Sequence, residues 1–217
     1  MAKLMGVLAL AALAQSSFEP ARLKRSGALP GAPAFATGGG EVWLELVLSA
    51  GGAVEEVVPL RETPPFAESL RARVARWRFE PAREDGRAVA SRVLVVGVFL
   101  PPTLAGPVIG EVPRDVATAS AEVAVPTERP MPAYPPNAIG DATVLVEATV
   151  GPDGRVSEAQ SLAGAEPFSG SAVDAVRGWQ FRSATRAGVP VTGVVCVVVG
   201  FRSPVVGPPP ALPQSRP

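Results

Sequence analysis

Adjacent carboxylates are the residues of this chain whose spacing could support general acid–base chemistry, and they occur at Glu55–Glu56 and Glu84–Asp85. The chain has no His, which removes the commonest general base and the commonest metal ligand. Both pairs fall in predicted hairpins and turns, where contact with water accounts for their charge. The glycine run at Gly38–Gly40 lacks the Lys and the following helix of a phosphate-binding loop. We therefore predict a non-enzymatic protein with no catalytic residue, cofactor or metal.

The charge balance also limits the class of partner. The 217 residues include 20 Lys and Arg against 20 Asp and Glu, so there is no basic excess for phosphates and we predict no nucleic-acid partner. Acidic residues balance the basic run Arg71, Arg73, Arg76 and Arg78, which favours a solvated helix face. The single Cys196 cannot form an internal disulfide, and we predict that it is a buried apolar side chain.

Two Trp-x-Phe segments, Trp77–Phe79 and Trp179–Phe181, lie 102 residues apart. The same offset aligns further Gly, Val, Pro and Phe residues without a gap, and it places Phe99 on Phe201. Similarity of a chain to itself at a fixed offset indicates a repeated structural unit. We therefore predict two tandem copies of one small unit, here called repeat 1 and repeat 2.

Each repeat has the pattern strand, strand, helix, strand. Residues 41–48 alternate between apolar and polar side chains, and a glycine turn leads into the second strand. Phe66, Leu70, Val74 and Trp77 share one face of a helix. The predicted fold class is α+β, with two tandem small domains that are each a three-stranded antiparallel sheet with a helix packed on one face (ββαβ). The predicted aromatic core consists of Phe66, Trp77, Phe79, Phe99, Phe168, Trp179, Phe181 and Phe201.

The third strand of each repeat, predicted at 88–99 and 189–201, is apolar on both faces. A three-stranded sheet with one helix should present a polar back face to water. We therefore predict that the back faces, marked by Leu94 and Val198, are covered, most simply because the two repeats pack together. A partner protein is the alternative cover, since exposed apolar patches mark binding sites.

The chain ends differ in composition from the repeats. Lys3 precedes an apolar run of 11 residues that ends in Ala12-Leu13-Ala14, the pattern of a cleavable signal peptide. A membrane-spanning helix needs about 20 residues, so an uncleaved inner-membrane anchor is the weaker prediction. The predicted segments are a signal peptide at 1–14, a flexible leader at 15–28, repeat 1 at 29–102, a Pro-rich linker at 103–127, repeat 2 at 128–204 and a Pro-rich disordered tail at 205–217.

Three motifs in repeat 2 carry a resemblance to a known family. They are Met131-Pro132-Ala133-Tyr134-Pro135, the turn Gly151-Pro152-Asp153-Gly154-Arg155-Val156, and the Trp-x-Phe segment followed by an apolar strand that ends in Phe201. Together they resemble the TonB C-terminal domain. Repeat 1 resembles a degenerate copy, with Ala32–Pro33 in place of Tyr134–Pro135. Repeat 2 departs from the family at Ser183, where Pro is usual.

The resemblance implies a small periplasmic module that binds a short peptide of an outer-membrane receptor in transport. In the family the peptide adds as a strand along the third-strand edge, here Val191–Val199, and the Tyr-Pro segment lies near the receptor. Unpaired backbone groups on an edge strand make such pairing favourable. The partner-binding residues implied are therefore Tyr134, Pro135, Val191, Val195, Val197 and Val199.

Two functions follow as alternatives. In the first, an exported protein-binding module of transducer type engages a protein or receptor peptide by β-augmentation. In the second, the two repeats form a pseudo-dimer that binds cell-wall or envelope proteins without energy transduction. The Pro-rich linker joins the two copies and does not tether a domain to the membrane, which favours an exported relative over a motor-coupled transducer. Buried third-strand edges would favour the second function, and one free, straight edge the first.

Overall fold

The computed structural model describes residues 17–31, 33, 36, 38–102, 109–110 and 113–204. The predicted signal peptide and C-terminal tail lie outside these residues. The first half contains β1 (Phe18–Glu19), β2 (Arg22–Arg25), β3 (Gly40–Leu48), β4 (Val54–Arg61), α1 (Phe66–Val74), β5 (Arg78–Glu80), β6 (Ala82–Glu84), β7 (Arg87–Val89) and β8 (Ser91–Phe99). The second half contains β9 (Ile109–Gly110), β10 (Val125–Pro130), β11 (Ala142–Val150), β12 (Val156–Ala163), α2 (Phe168–Arg177), β13 (Gln180–Arg182), β14 (Ala184–Arg186), β15 (Val189–Val191) and β16 (Gly193–Phe201).

The structure is α+β, and every element from β3 to β8 begins 102 residues before its counterpart between β11 and β16. The two units do not form separate three-stranded sheets, as the sequence had suggested. They merge into one six-stranded sheet with the order β12-β11-β16-β8-β3-β4. All neighbours in this sheet are antiparallel except β16 and β8, which pair in parallel from Val195 opposite Leu94 to Gly200 opposite Phe99.

The two helices lie on opposite faces of this sheet. The α1 residues Phe66, Leu70 and Val74 pack with Val93 and Val95, whereas α2 packs with the residues that alternate with these on the strands. The two repeats are related by a rotation of half a turn about an axis that lies in the sheet, parallel to β8 and β16. Such a rotation moves a helix to the opposite face of the sheet and leaves the direction of each strand unchanged. Equivalent residues of the two repeats therefore point to opposite sides of the sheet.

The predicted third strand of each repeat is two strands. β7 turns back on β6, and β8 then crosses the six-stranded sheet; β15 and β16 repeat this arrangement. The helix α1 also ends at Val74, so Trp77 follows the helix instead of extending its apolar face. All eight predicted core aromatics are nevertheless buried, because the turn after each helix directs the Trp back onto the sheet.

The hairpin turns explain two glycines. Gly52 and Gly154 have φ of +79° and +78°, and a Cβ at either position would clash with the carbonyl oxygen of Phe79 or Phe181. The same close approach lets the amide of Phe79 donate to Gly52 O at 2.8 Å, and that of Phe181 to Gly154 O at 2.8 Å. Only glycine fits this positive-φ position, so each hairpin is fixed to its own Trp-x-Phe strand.

The back faces are covered, with Leu94 and Val198 fully buried, but the repeats do not cover them by packing face to face. Val116, Ala119 and Val123 of the linker pack on the side of Leu94. Residues of the N-terminal segment, among them Ala21 and Leu23, pack on the side of Val198. Because the sheets join edge to edge, each back face needs a separate cover, and the connecting segments provide it.

The predicted flexible leader is therefore wrong for residues 18–25, since β1 pairs with β6 and β2 pairs with β5. The linker prediction fails in the same way at β10, which pairs with β13. The register makes β2 the counterpart of β10, with Leu23 opposite Phe79 and Pro126 opposite Phe181. Each repeat thus begins earlier than predicted, with β2 or β10 as its first ribbon strand. The charged residues of β2 and the prolines of β10 are not typical of a strand, so the sequence did not indicate them.

Candidate partner-binding site

The strand predicted to receive a peptide lies in the middle of the sheet. β16 pairs with β11 on one side and with β8 on the other, and Val195, Val197 and Val199 are fully buried. Val191 lies apart from them, half-buried in the β14–β15 hairpin. The prediction of a free edge along Val191–Val199 is wrong for this structure. The reason is visible in the sequence, because a strand that is apolar on both faces belongs in the interior of a sheet.

The Tyr-Pro motif packs against the start of α2. The hydroxyl of Tyr134 donates to Gly140 O at 2.9 Å, and its ring meets the edge of Phe168 with centroids 5.6 Å apart. The Trp179 indole donates to Pro130 O at 2.9 Å, and Ser171 Oγ donates to Ala133 O at 2.6 Å. These contacts hold residues 130–141, here called the lip, against α2 and Trp179. A partner-binding role for Tyr134 and Pro135 stays a prediction.

The lip presents an apolar residue that the sequence analysis missed. Ile139, between Tyr134 and Gly140, is 95% exposed, the highest value of any large apolar side chain in the described residues. Leu162, near the end of β12, is 38% exposed. β12 ends beside the start of β11, because Ala163 pairs with Leu145. The signal that could have revealed Ile139 is its position, since it is the one β-branched residue of the loop between β10 and β11.

β12 is one of the two outer strands of the six-stranded sheet, and β4 is the other. The linker runs beside β4, where Ala117 N donates to Leu60 O at 2.8 Å and Arg61 Nε contacts Asp115 at 2.9 Å. Among the described residues no segment pairs with the outer side of β12. The two edges of the sheet are therefore unequal, and the open one belongs to repeat 2.

The titration behaviour of two groups follows from their surroundings. Burial, with the nearby Glu147 carboxylate, raises the pKa of the Cys196 thiol well above its usual range. The thiol is therefore protonated at neutral pH, as a buried structural residue should be. The hydrogen bond from Arg61 lowers the pKa of Asp115 at the surface. In the part of the chain that the structure describes, no group of three His, Cys, Asp or Glu side chains could hold a metal ion.

Comparison with known proteins finds one relationship. Residues 130–202 match the model of the family described as the Gram-negative bacterial TonB protein C-terminal. No curated protein and no solved structure matches the chain. No helix in the described residues has the length and apolar character needed to cross a membrane.

The match coincides with one structural unit. It begins at the end of β10, includes the Tyr-Pro lip, and ends just after β16. These are the elements that pack around α2 on one face of the sheet. Residues 130–202 are therefore similar to the TonB C-terminal domain, and the match suggests a TonB-like protein-interaction module.

Proposed function

We propose that this protein is a non-enzymatic protein-binding module of the periplasm in which repeat 1, a diverged copy of the same unit, occupies the third-strand edge of repeat 2. The observation that carries the proposal is the parallel pairing of β8 with β16 over six residue pairs. Both strands are apolar on both faces, so separating them would expose two fully buried surfaces to water. A receptor peptide would have to overcome that cost to reach β16.

The partner instead meets the outer edge of β12. This edge offers backbone N–H and C=O groups to an extended segment, and pairing them supplies affinity without a requirement for particular side chains. Ile139 and Leu162 lie at the same end of the sheet and supply apolar contacts. The Tyr134 ring supports this end by packing on Phe168.

The two repeats supply a matched variant for testing the edge. Ser161 of β12 corresponds to Pro59 of β4, and each is opposite the same position of its neighbouring strand, Val146 or Leu44. An outer strand accepts Pro where the missing N–H would face solvent, so Ser161→Pro should preserve the fold. The substitution removes one backbone donor from the open edge, and Ser161→Ala controls for loss of the hydroxyl that contacts Ala163 O and Ser169 Oγ.

The experiment is a titration of the full chain with a synthetic receptor-box peptide, followed by the backbone amide resonances. We expect shifts at Val156–Ala163 and none at the amides of β8 or β16. Loss of one hydrogen bond should weaken binding about five- to tenfold in Ser161→Pro. Val189→Ser, which removes an exposed apolar residue from the distant β14–β15 hairpin, is the control and should bind normally. Shifts centred on β16, or equal binding by Ser161→Pro, would contradict the proposal.

A second candidate function is a structural envelope module that holds its partners without energy transduction. The closed third strands favour it, because both repeats have lost the edge along which the family receives a peptide. In this case the receptor-box peptide produces no amide shifts at any concentration tested. Substitution of Ile139 by Ser would then weaken binding to an envelope protein, whereas Ser161→Pro would not.

A further inference from the structure

The two repeats differ in charge at one equivalent place. In the β2–β5 ribbon of repeat 1, Arg25 is directly opposite Arg78. In the β10–β13 ribbon of repeat 2, Glu128 is opposite Gln180, whose side-chain amide donates to the Glu128 carboxylate at 2.7 Å. Like charges at directly opposed positions destabilise a strand pair. Repeat 1 therefore keeps an unfavourable pair where repeat 2 has a satisfied one.

A cleft of about 630 Å³ adjoins the Arg25–Arg78 pair. Its lining includes Lys24, which is the extra residue of a bulge in β2, and Gly51 of the β3–β4 turn. Lys24, Arg25 and Arg78 are all exposed, and none of them forms a salt bridge within the described part of the chain. Glu80 is the one carboxylate of the lining, and the register places it opposite Arg22.

The equivalent place in repeat 2 has a different distribution of charge, in which Arg182 replaces Glu80 and Arg155 replaces Ala53. Thr127 replaces Lys24, Glu128 replaces Arg25, and Asp153 stands where repeat 1 has Gly51. The charge difference is thus confined to side chains around one cleft, while the ribbon geometry is shared. The three positions that are Lys24, Arg25 and Arg78 in repeat 1 hold no cation in repeat 2, so the shared ribbon does not require cations at those positions.

We propose that this cleft, formed by Lys24, Arg25, Arg78 and the Gly51 turn, is a binding site for a phosphate group. A guanidinium binds phosphate oxygens in a bidentate manner, and an ammonium adds a third charge. Arg78 is already oriented, because its Nη1 donates to Trp77 O at 2.9 Å. Gly51 lines the cleft without a side chain that could occupy it. A bound anion would neutralise the repulsion between the two arginines.

The test uses the full chain and two probes, inorganic pyrophosphate in solution and vesicles that contain phosphatidylglycerol. We expect binding that weakens with added salt, since the site is exposed. The main variant carries Arg25→Glu with Arg78→Gln, which reproduces the pair of repeat 2. It should lose at least about tenfold in affinity, because two of three cations are removed. Its thermal stability should be unchanged or higher, since a repulsive pair has been replaced.

Matched controls distinguish an effect of the cleft on binding from an effect of the net charge of the protein. Arg87→Glu with Arg177→Gln makes the same change in net charge at exposed positions outside the cleft, and it should retain binding. The reciprocal variant, with Thr127→Lys, Glu128→Arg, Asp153→Gly and Gln180→Arg, should create a second site in repeat 2. If Arg25→Glu with Arg78→Gln fails to fold, Lys24→Gln alone provides the comparison and should weaken binding severalfold.

The outcomes distinguish the source of the phosphate. Binding to vesicles but not to pyrophosphate assigns the site to a lipid headgroup, and binding to pyrophosphate assigns it to a soluble phosphate group. Absence of binding to both probes overturns the proposal, as does equal loss of binding in the Arg87 and Arg177 control. Neither result bears on β12, because the cleft lies on the ribbon of repeat 1.

Discussion

Glu45 and Glu147 occupy equivalent positions on the back faces of the two repeats, and both are almost fully buried. Glu147 is held entirely by the N-terminal segment, through Arg22 at 3.2 Å and the amide of Leu23 at 2.7 Å. Glu45 is held by Arg92 of its own repeat and by the linker amide of Ser120 at 2.9 Å. A buried carboxylate needs a cation and hydrogen-bond donors, and the two repeats obtain them from different parts of the chain.

Each repeat is covered by the segment of chain that precedes the other repeat. The segment that opens repeat 1 crosses the back of repeat 2, and the linker that precedes repeat 2 crosses the back of repeat 1. Each connecting segment thus pairs with its own repeat through a short ribbon and donates a backbone amide to the buried carboxylate of the other repeat, and the N-terminal segment also supplies the cation Arg22.

The largest expected effect concerns the buried position that is Cys196 in repeat 2 and Leu94 in repeat 1. Because the central strands open only when the whole sheet unfolds, labelling of Cys196 by a thiol reagent should be at least about 1,000-fold slower in the native protein than in urea. A Leu94→Cys, Cys196→Ala variant should be protected to the same extent. Mass spectrometry against time measures both rates. Rapid labelling of one position alone would show that the repeats open independently.

Next in size is the effect of neutralising the buried carboxylates. Glu147→Gln and Glu45→Gln should each lower the free energy of unfolding by about 2 kcal/mol, since charge-assisted hydrogen bonds are lost while Arg22 and Arg92 can turn toward water. Urea denaturation gives the values. Glu158→Gln, an exposed residue of β12, is the control and should change stability little. A large loss for Glu45 with none for Glu147 would mean that the N-terminal segment does not hold the back of repeat 2.

A smaller difference should separate the two buried tryptophans. Trp179 donates to Pro130 O, whereas Trp77 Nε1 has no hydrogen-bond partner among the described residues. Trp179→Phe should therefore cost about 1 kcal/mol more than Trp77→Phe, because only the former removes a hydrogen bond. Thermal unfolding of the two variants measures the difference. Equal losses would argue that the lip at Pro130 is not held by this bond.

The smallest effect is expected at the pair of Arg61 and the exposed Asp115, which joins the linker to β4. Asp115→Asn should lower stability at pH 7 only slightly, because Asp115 is exposed and an ion pair with an exposed partner contributes little. The lowered pKa of Asp115 stabilises the fold above the unfolded-state pKa, and this contribution disappears as the pH falls through the folded-state pKa. The small difference between the wild type and Asp115→Asn should therefore disappear in acid. A difference that grows as the pH falls would reverse the assigned sign.

Several features could be predicted from the chain because local chemistry decides them. Neighbouring residues decide the hairpin glycines, the helices after Pro65 and Pro167, and the alternation of Val93 with Leu94. The offset of 102 residues can be read directly from the order of these residues along the chain. The burial of Cys196 followed from its place in an apolar strand. The ribbon strands could not be predicted, because β2 is polar and β10 carries two prolines, and both are strands only because β5 and β13 offer partners.

By itself the sequence determined the repeating unit, its aromatic core and its resemblance to the TonB C-terminal domain, since these depend on spacing along the chain. It also required that something cover the third strands, because they are apolar on both faces. Only the tertiary structure decided what covers them. Two strands of equal hydrophobicity can be buried by packing face to face or by pairing edge to edge, and the parallel pairing of β8 with β16 selected the second arrangement. That choice closes one sheet edge to a partner and leaves β12 open.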